Sequence, residues 1–210
     1  MLIITRIIYM TLLVMLMTFS VTYASSIAVI WDAPVQWMEK EANVTALESK
    51  LRGFLPAADY SIQPLSIMNA KVVAYRSSNN LLAKNAYEGG PVLTTDAVMT
   101  LAAGNDYAML LRMDSIITDH HDTWGEIIPE VTNYYVFDIA DIKVYSVRTG
   151  KLLYKNKQFL GKASNGALNA MFKSSDSVSQ ERKDEIFQNA FDQCLLNFTF
   201  DASHIHRLEN

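Results

Sequence analysis

The stretch "IKVYSVRTGKLLYKNKQ", Ile142 to Gln158, decides the fold. Arg148-Thr149-Gly150 separates two runs of alternating apolar and polar residues, and three loop residues with glycine last suit a type I turn followed by a bulge. The runs are "NYYVFDIADIKVYSV" (Asn133 to Val147) and "KLLYKNKQFLG" (Lys151 to Gly161), so they predict a long antiparallel hairpin. Ala140, Ile142 and Val144 alternate with Asp141, Lys143 and Tyr145. Leu152 and Tyr154 alternate with Lys155 and Lys157. One face of the hairpin is expected to be covered and the other to meet water.

Working outward, "DYAMLLRMDSII" (Asp106 to Ile117) is apolar on both faces in its first half, as a central strand requires. "SIAVIW" (Ser26 to Trp31), closed by Asp32-Ala33-Pro34, reads as a buried strand. From Met38 to Phe54 the spacing of Val44, Leu47, Leu51 and Phe54 predicts an amphipathic helix. A short strand at Tyr60 to Gln63 is limited by Pro64, which donates no ladder hydrogen bond and suits a sheet edge. Ile67 to Glu88 predicts two short helices or one broken helix. Thr95-Asp96 caps a helix from Ala97 to Ala103, which Gly104 ends. Gly161 to Gln180 reads as a mobile loop, and Glu181 to Phe198 as the best amphipathic helix. The order predicts an α/β (α+β) sandwich of two or three layers, with a mixed sheet and helices mainly on one face.

With 210 residues, half of them apolar, the chain suits one domain. Met1 to Ala24 carries Arg6, an apolar run from Ile7 to Phe19 and the small-residue ending Thr22-Tyr23-Ala24. This is the layout of a secretory signal peptide cut after Ala24; the alternative is a retained membrane anchor. The remaining residues 25–210 then form a single domain with a frayed C-terminal tail and no further membrane span. Without Arg6 there are 17 basic against 22 acidic residues, a net charge of −5, which argues against a nucleic-acid partner. The one cysteine, Cys194, excludes an internal disulfide and falls on the apolar face of the last helix. No nucleophile elbow and no Walker or dinucleotide pattern occurs.

"TDHHDTWGE" (Thr118 to Glu126) concentrates two of the four histidines in nine positions. Asp119, His120, His121 and Asp122 offer donors for a divalent metal, with Glu126 as general base of a metal-dependent hydrolase. Adjacent histidines in extended chain point to opposite sides, which opposes sharing one ion. The other readings are a solvated loop and a pH-sensitive contact surface. His204 and His206 are further candidates near the C-terminus. Trp124 precedes Ile127-Ile128-Pro129, an apolar group that either folds back onto the sheet or anchors a partner. Tyr134 and Tyr135 lie beside it, giving a candidate binding surface of Trp124, Ile127, Ile128, Tyr134 and Tyr135.

"IAVIW", "AAGNDYAMLLRMDSI" and the Thr149-Gly150-Lys151 hairpin together resemble the small periplasmic α/β domains of the TolB amino terminus, the lipoprotein activators of penicillin-binding proteins and the curli-secretion lipoprotein family. The resemblance implies a periplasmic or secreted, non-enzymatic binding or assembly module of the bacterial cell envelope, without a cofactor, that meets an envelope protein or cell-wall component. It brings no catalytic residues. The chain departs from these families in having no lipidated cysteine and no second domain such as a propeller.

Overall fold

The computed structural model describes residues 24–83, 87–122, 131–164, 179–203 and 205. The expected signal segment lies outside them, apart from Ala24. Strand β1 (Ser25–Asp32) pairs in parallel with β2 (Tyr60–Ile62) on one side and β3 (Tyr107–Asp122) on the other. β4 (Val131–Ser146) runs antiparallel to β3, and β5 (Leu152–Ser164) antiparallel to β4, giving the order β2-β1-β3-β4-β5. The parallel pairs need crossover connections, and helices supply them. α1 (Val35–Met38) and α2 (Glu41–Phe54) join β1 to β2, and α3 (Leu65–Ser78) and α4 (Thr95–Leu101) lie between β2 and β3. α5 (Gln180–Asn197) follows the hairpin.

This is the expected α/β class with its mixed sheet and long hairpin. The central strand is central, the short second strand is an edge, and Gly150 closes the hairpin turn at φ +68°. Gly104 takes the left-handed conformation after α4, whose cap is Thr94, one residue earlier than expected.

Several elements differ from the sequence pattern for local reasons. The helix expected over Met38 to Phe54 is split, because Lys40 is extended at ψ 113°. The break buries Trp37, whose indole N–H donates to the Phe187 carbonyl at 3.2 Å while its ring stacks on Phe187 at 4.6 Å. Burying a ring of that size is worth about 4–6 kcal/mol at ~25 cal/mol per Å² over roughly 150–250 Å², more than two residues of helix propensity. Where two short helices or one broken helix are expected over Ile67 to Glu88, a single unbroken helix, Leu65–Ser78, covers the first half, and the second half is irregular where it is described. Asn79 donates its side-chain amide to the Tyr75 carbonyl at 2.8 Å and Asn80 turns left-handed at φ 55°, which stops the helix.

In the hairpin, Val144 pairs with Tyr154 and Tyr145 with Leu152, so Leu153 is an extra residue. Such a bulge inverts the alternation locally. Leu153 is therefore buried at 5% exposure, Leu152 stands out at 43%, and Tyr145, expected on the wet face, is buried. Lys155 and Lys157 do face water.

Side chains reach β1 from both faces, not mainly from one. Trp31 meets Phe191 of α5 at 5.9 Å, and its neighbour Asp32 meets Arg76 of α3. Successive strand residues point to opposite faces. The core between them is continuous, with Trp31, Trp37, Leu47, Leu51, Phe187 and Phe191 all essentially inaccessible to solvent.

Candidate functional site

Two places have the features of a site: the end of β1, where an open α/β sheet ordinarily receives a ligand, and the far end of β3 and β4, where the sequence concentrates its polar and aromatic residues.

The strand order runs outward from β1 in both directions, so the crevice at the carboxyl end of β1, beside Arg112 within β3, is the topological switch point, the usual ligand site of such sheets. Here it is filled by the protein's own groups. Asp32 ends β1 with a fully buried side chain. Its carboxylate accepts from Nη2 of Arg76 and, at 3.1 Å, from Nη1 of Arg112, the residue paired with it on β3. The guanidinium of Arg76 also donates to the carbonyls of Leu81 at 2.7 Å and Pro91 at 2.9 Å, and that of Arg112 to Gly90 at 3.0 Å. Two cations on one carboxylate thus hold residues 81 and 90–91 down on the end of β1. A Cβ at Gly90 would meet the Arg76 guanidinium and the Leu81 carbonyl oxygen, so only glycine fits there.

The same connection is fastened to α5. The Tyr87 hydroxyl donates to the Asp184 carboxylate, and the Tyr87 ring stands edge-on to Phe187 at 4.9 Å. Gln36 donates to the same Asp184 oxygen at 3.1 Å and Gln180 at 3.2 Å. The Tyr87 hydrogen bond, above all, holds the Asp184 carboxyl below its ordinary pKa, helped by the two glutamine amides and the charge of Lys40, while partial burial works the other way. Sequence patterning marks neither cluster. The available signal is an arginine in the middle of the buried run "YAMLLRM", which requires a partner.

At the other site, β3 does not end near Ile117. It continues through Asp122, and β4 begins at Val131, so Thr118 to Asp122 are strand and not loop. The ladder sets Thr118 opposite Tyr135, Asp119 opposite Tyr134, His120 opposite Asn133 and His121 opposite Thr132, with Asp122 opposite Val131. Strand alternation puts the positions of Asp119 and His121 on one face and those of His120 and Asp122 on the other. Trp124, Glu126, Ile127, Ile128, His204 and His206 lie outside the described residues. Cys194 is buried on α5, as its place on the apolar face predicted.

β1 pairs with β3 only as far as Arg112, whereas β3 stays paired with β4 for the ten residues from Met113 to Asp122. At about 3.3 Å per residue this carries the ladder roughly 33 Å past the end of β1. β5 accompanies it as far as Ser164, opposite Tyr135, so the expected loop from Gly161 begins as strand.

The chain is thus an open α/β sandwich with a filled switch point and a projecting strand ladder. No protein family and no curated protein matches its sequence. Among solved structures it is similar to a neuraminyllactose-binding hemagglutinin homolog from Helicobacter pylori, at 11% identity and TM-score 0.43 over 90% of this chain and 89% of that one. It is similar to a lipoprotein from Neisseria meningitidis, at 12% identity and TM-score 0.31 over 80% and 96% of the two chains. The C-terminal domain of LpoB from Salmonella enterica is a third, at 12% identity and TM-score 0.33 over 69% and 87%. No helix among the described residues is long and apolar enough to cross a membrane.

Proposed function

We propose that the chain is an exported, non-enzymatic binding or assembly module of the bacterial cell envelope. Its contact surface is the segment 118–135, whose described parts, 118–122 and 131–135, close the far end of the β3–β4 ladder, with Trp124, Ile127, Ile128, Tyr134 and Tyr135 as the apolar contacts. The observation that carries this reading is the ladder itself, paired residue for residue from Met113 and Ala140 to Asp122 and Val131, beyond the strand that anchors it. A surface built on paired strands is held in position more rigidly than one on a free loop. The filled switch point supports the non-enzymatic part, because the place where this architecture ordinarily binds a small substrate is occupied by Arg76, Arg112 and the carbonyls of residues 81, 90 and 91. The partner class is an envelope protein or cell-wall component, and the reading calls on no cofactor or metal. The exported location rests on the N-terminal sequence pattern.

Pull-down from envelope extracts with wild type and a Trp124→Ala, Ile127→Ala variant tests it. Loss of at least one partner by the variant, with an unchanged circular dichroism spectrum, is the expected result. Equal recovery of every partner by both forms removes the surface.

A further inference from the structure

The opposite end of the sheet carries a second surface, independent of the contact surface above. Ser25 opens β1 by donating its backbone N–H to the Asp59 carbonyl at 2.9 Å. Ser26 is bonded to Asp106, which donates to the Ser26 carbonyl at 3.0 Å and whose carboxylate accepts from the Ser26 N–H and hydroxyl at 2.8 Å each. The Asp106 carbonyl accepts from Val147 at 2.9 Å, and the next three residues are the hairpin turn Arg148-Thr149-Gly150. The start of β1 and the turn therefore share one end of the sheet, two strand spacings or about 10 Å apart.

The sequence before Ser25 matters here. Only the five residues Ser20 to Ala24 separate the apolar run that ends at Phe19 from the first strand, and five residues span at most about 18 Å. A chain whose apolar run occupies a bilayer must hold this end of the sheet against the lipid headgroups. Cleavage after Ala24 instead leaves the α-ammonium group of Ser25 at the same end. Arg148 and Lys151 are exposed there, Lys155 is exposed three residues along β5, and none of the three has an ion-pair partner among the described residues. Leu152, 43% exposed, lies between them. Of the nearby acids, Asp106 is engaged by Ser26 and Asp59 is exposed.

We propose that this end of the sheet rests on an anionic lipid surface through Arg148, Lys151, Lys155 and Leu152. β3 runs parallel to β1, so the Asp122 end of β3 then lies on the side away from the membrane, about 50 Å from Tyr107 along the strand. Cations on a lipid surface each contribute roughly a fivefold gain in binding, so reversing two of them is expected to cost at least tenfold.

The test uses the protein as recovered after export, labelled with a fluorophore at Thr149→Cys or at His120→Cys. Cys194 is fully buried and leaves one reactive thiol in each. Phosphatidylcholine vesicles with phosphatidylglycerol and a headgroup-attached quencher are expected to quench the label at position 149 and not at position 120. Arg148→Glu with Lys151→Glu, in a protein with an unchanged circular dichroism spectrum, is expected to bind the same vesicles at least tenfold more weakly, as is wild type when phosphatidylglycerol is omitted. Equal quenching at both positions, no quenching at either, or unchanged binding by the charge-reversed variant overturns the proposal.

Discussion

Replacing Asp32 by alanine removes a carboxylate that faces two guanidinium groups at the end of β1. The Asp32 side chain is inaccessible, Arg76 is 3% exposed and Arg112 is 13% exposed, so neither arginine can turn to bulk water without opening the structure. Breaking a buried ion pair by deleting one partner costs about 3–5 kcal/mol, because the charge left behind remains desolvated. The carbonyls of Leu81, Gly90 and Pro91 soften that cost, since they stay bonded to the two arginines; the prediction is therefore toward 3 kcal/mol. A domain of this size loses about 2–4 °C of melting temperature per kcal/mol, giving a drop of roughly 6–12 °C. Urea unfolding followed by tryptophan emission is the assay, with fully buried Trp31 and Trp37 as reporters. The midpoint is expected to fall by about 1.5 M at a slope near 2 kcal/mol/M, with the slope unchanged. Arg112→Met should cost less, because Asp32 keeps Arg76. Neither loss should depend on salt, which screens exposed pairs such as Arg52–Glu48 far more than buried ones. An unfolding free energy for Asp32→Ala within about 0.5 kcal/mol of wild type, the scatter of surface substitutions, would refute the reasoning.

Three further outcomes are expected. Tyr87→Phe removes the hydrogen bond that does most to depress the Asp184 carboxyl. A depressed carboxyl contributes stability above its unfolded pKa and loses it as pH falls through the folded value, so the variant should show a smaller acid-induced loss, with the Asp184 carbon resonance titrating at higher pH than in wild type. Gly90→Ala sets a methyl group against the Arg76 guanidinium and the Leu81 carbonyl, and should cost about 1–3 kcal/mol in the same urea assay. Elemental analysis of the purified protein should find no stoichiometric divalent metal, with or without His120→Ala and His121→Ala; an ion present in wild type and lost in the variants would favour the metal-dependent hydrolase reading instead.

Much of the fold is legible because single residues announce it. Gly150 in third place fixes the hairpin turn, Pro64 keeps β2 at an edge, and Ile186, Phe187, Ala190, Phe191 and Cys194 trace the buried stripe of α5. What is hidden depends on partners distant in sequence. Gly161-Lys162-Ala163-Ser164 has no strand propensity of its own and is extended because β4 offers it a ladder. The bulge at Leu153 is a register event that alternation alone assigns to the wrong residue. The Asp32 cluster draws residues from three elements 44 and 80 positions apart. At the candidate contact surface, composition identifies a polar and aromatic segment, but its placement on a strand ladder follows from pairing with residues 131–135.

The contact surface is tested most directly by placing a photo-activated cross-linking side chain at Tyr134 and at Tyr135 in cells, with Leu196 as the comparison. Leu196 is 76% exposed on α5, a different element from the strand ladder. The account predicts a discrete cross-linked species from position 134 or 135, which alternate between the two faces of the ladder, and none of the same mass from position 196. The same product from all three positions, or none from 134 and 135, would contradict it.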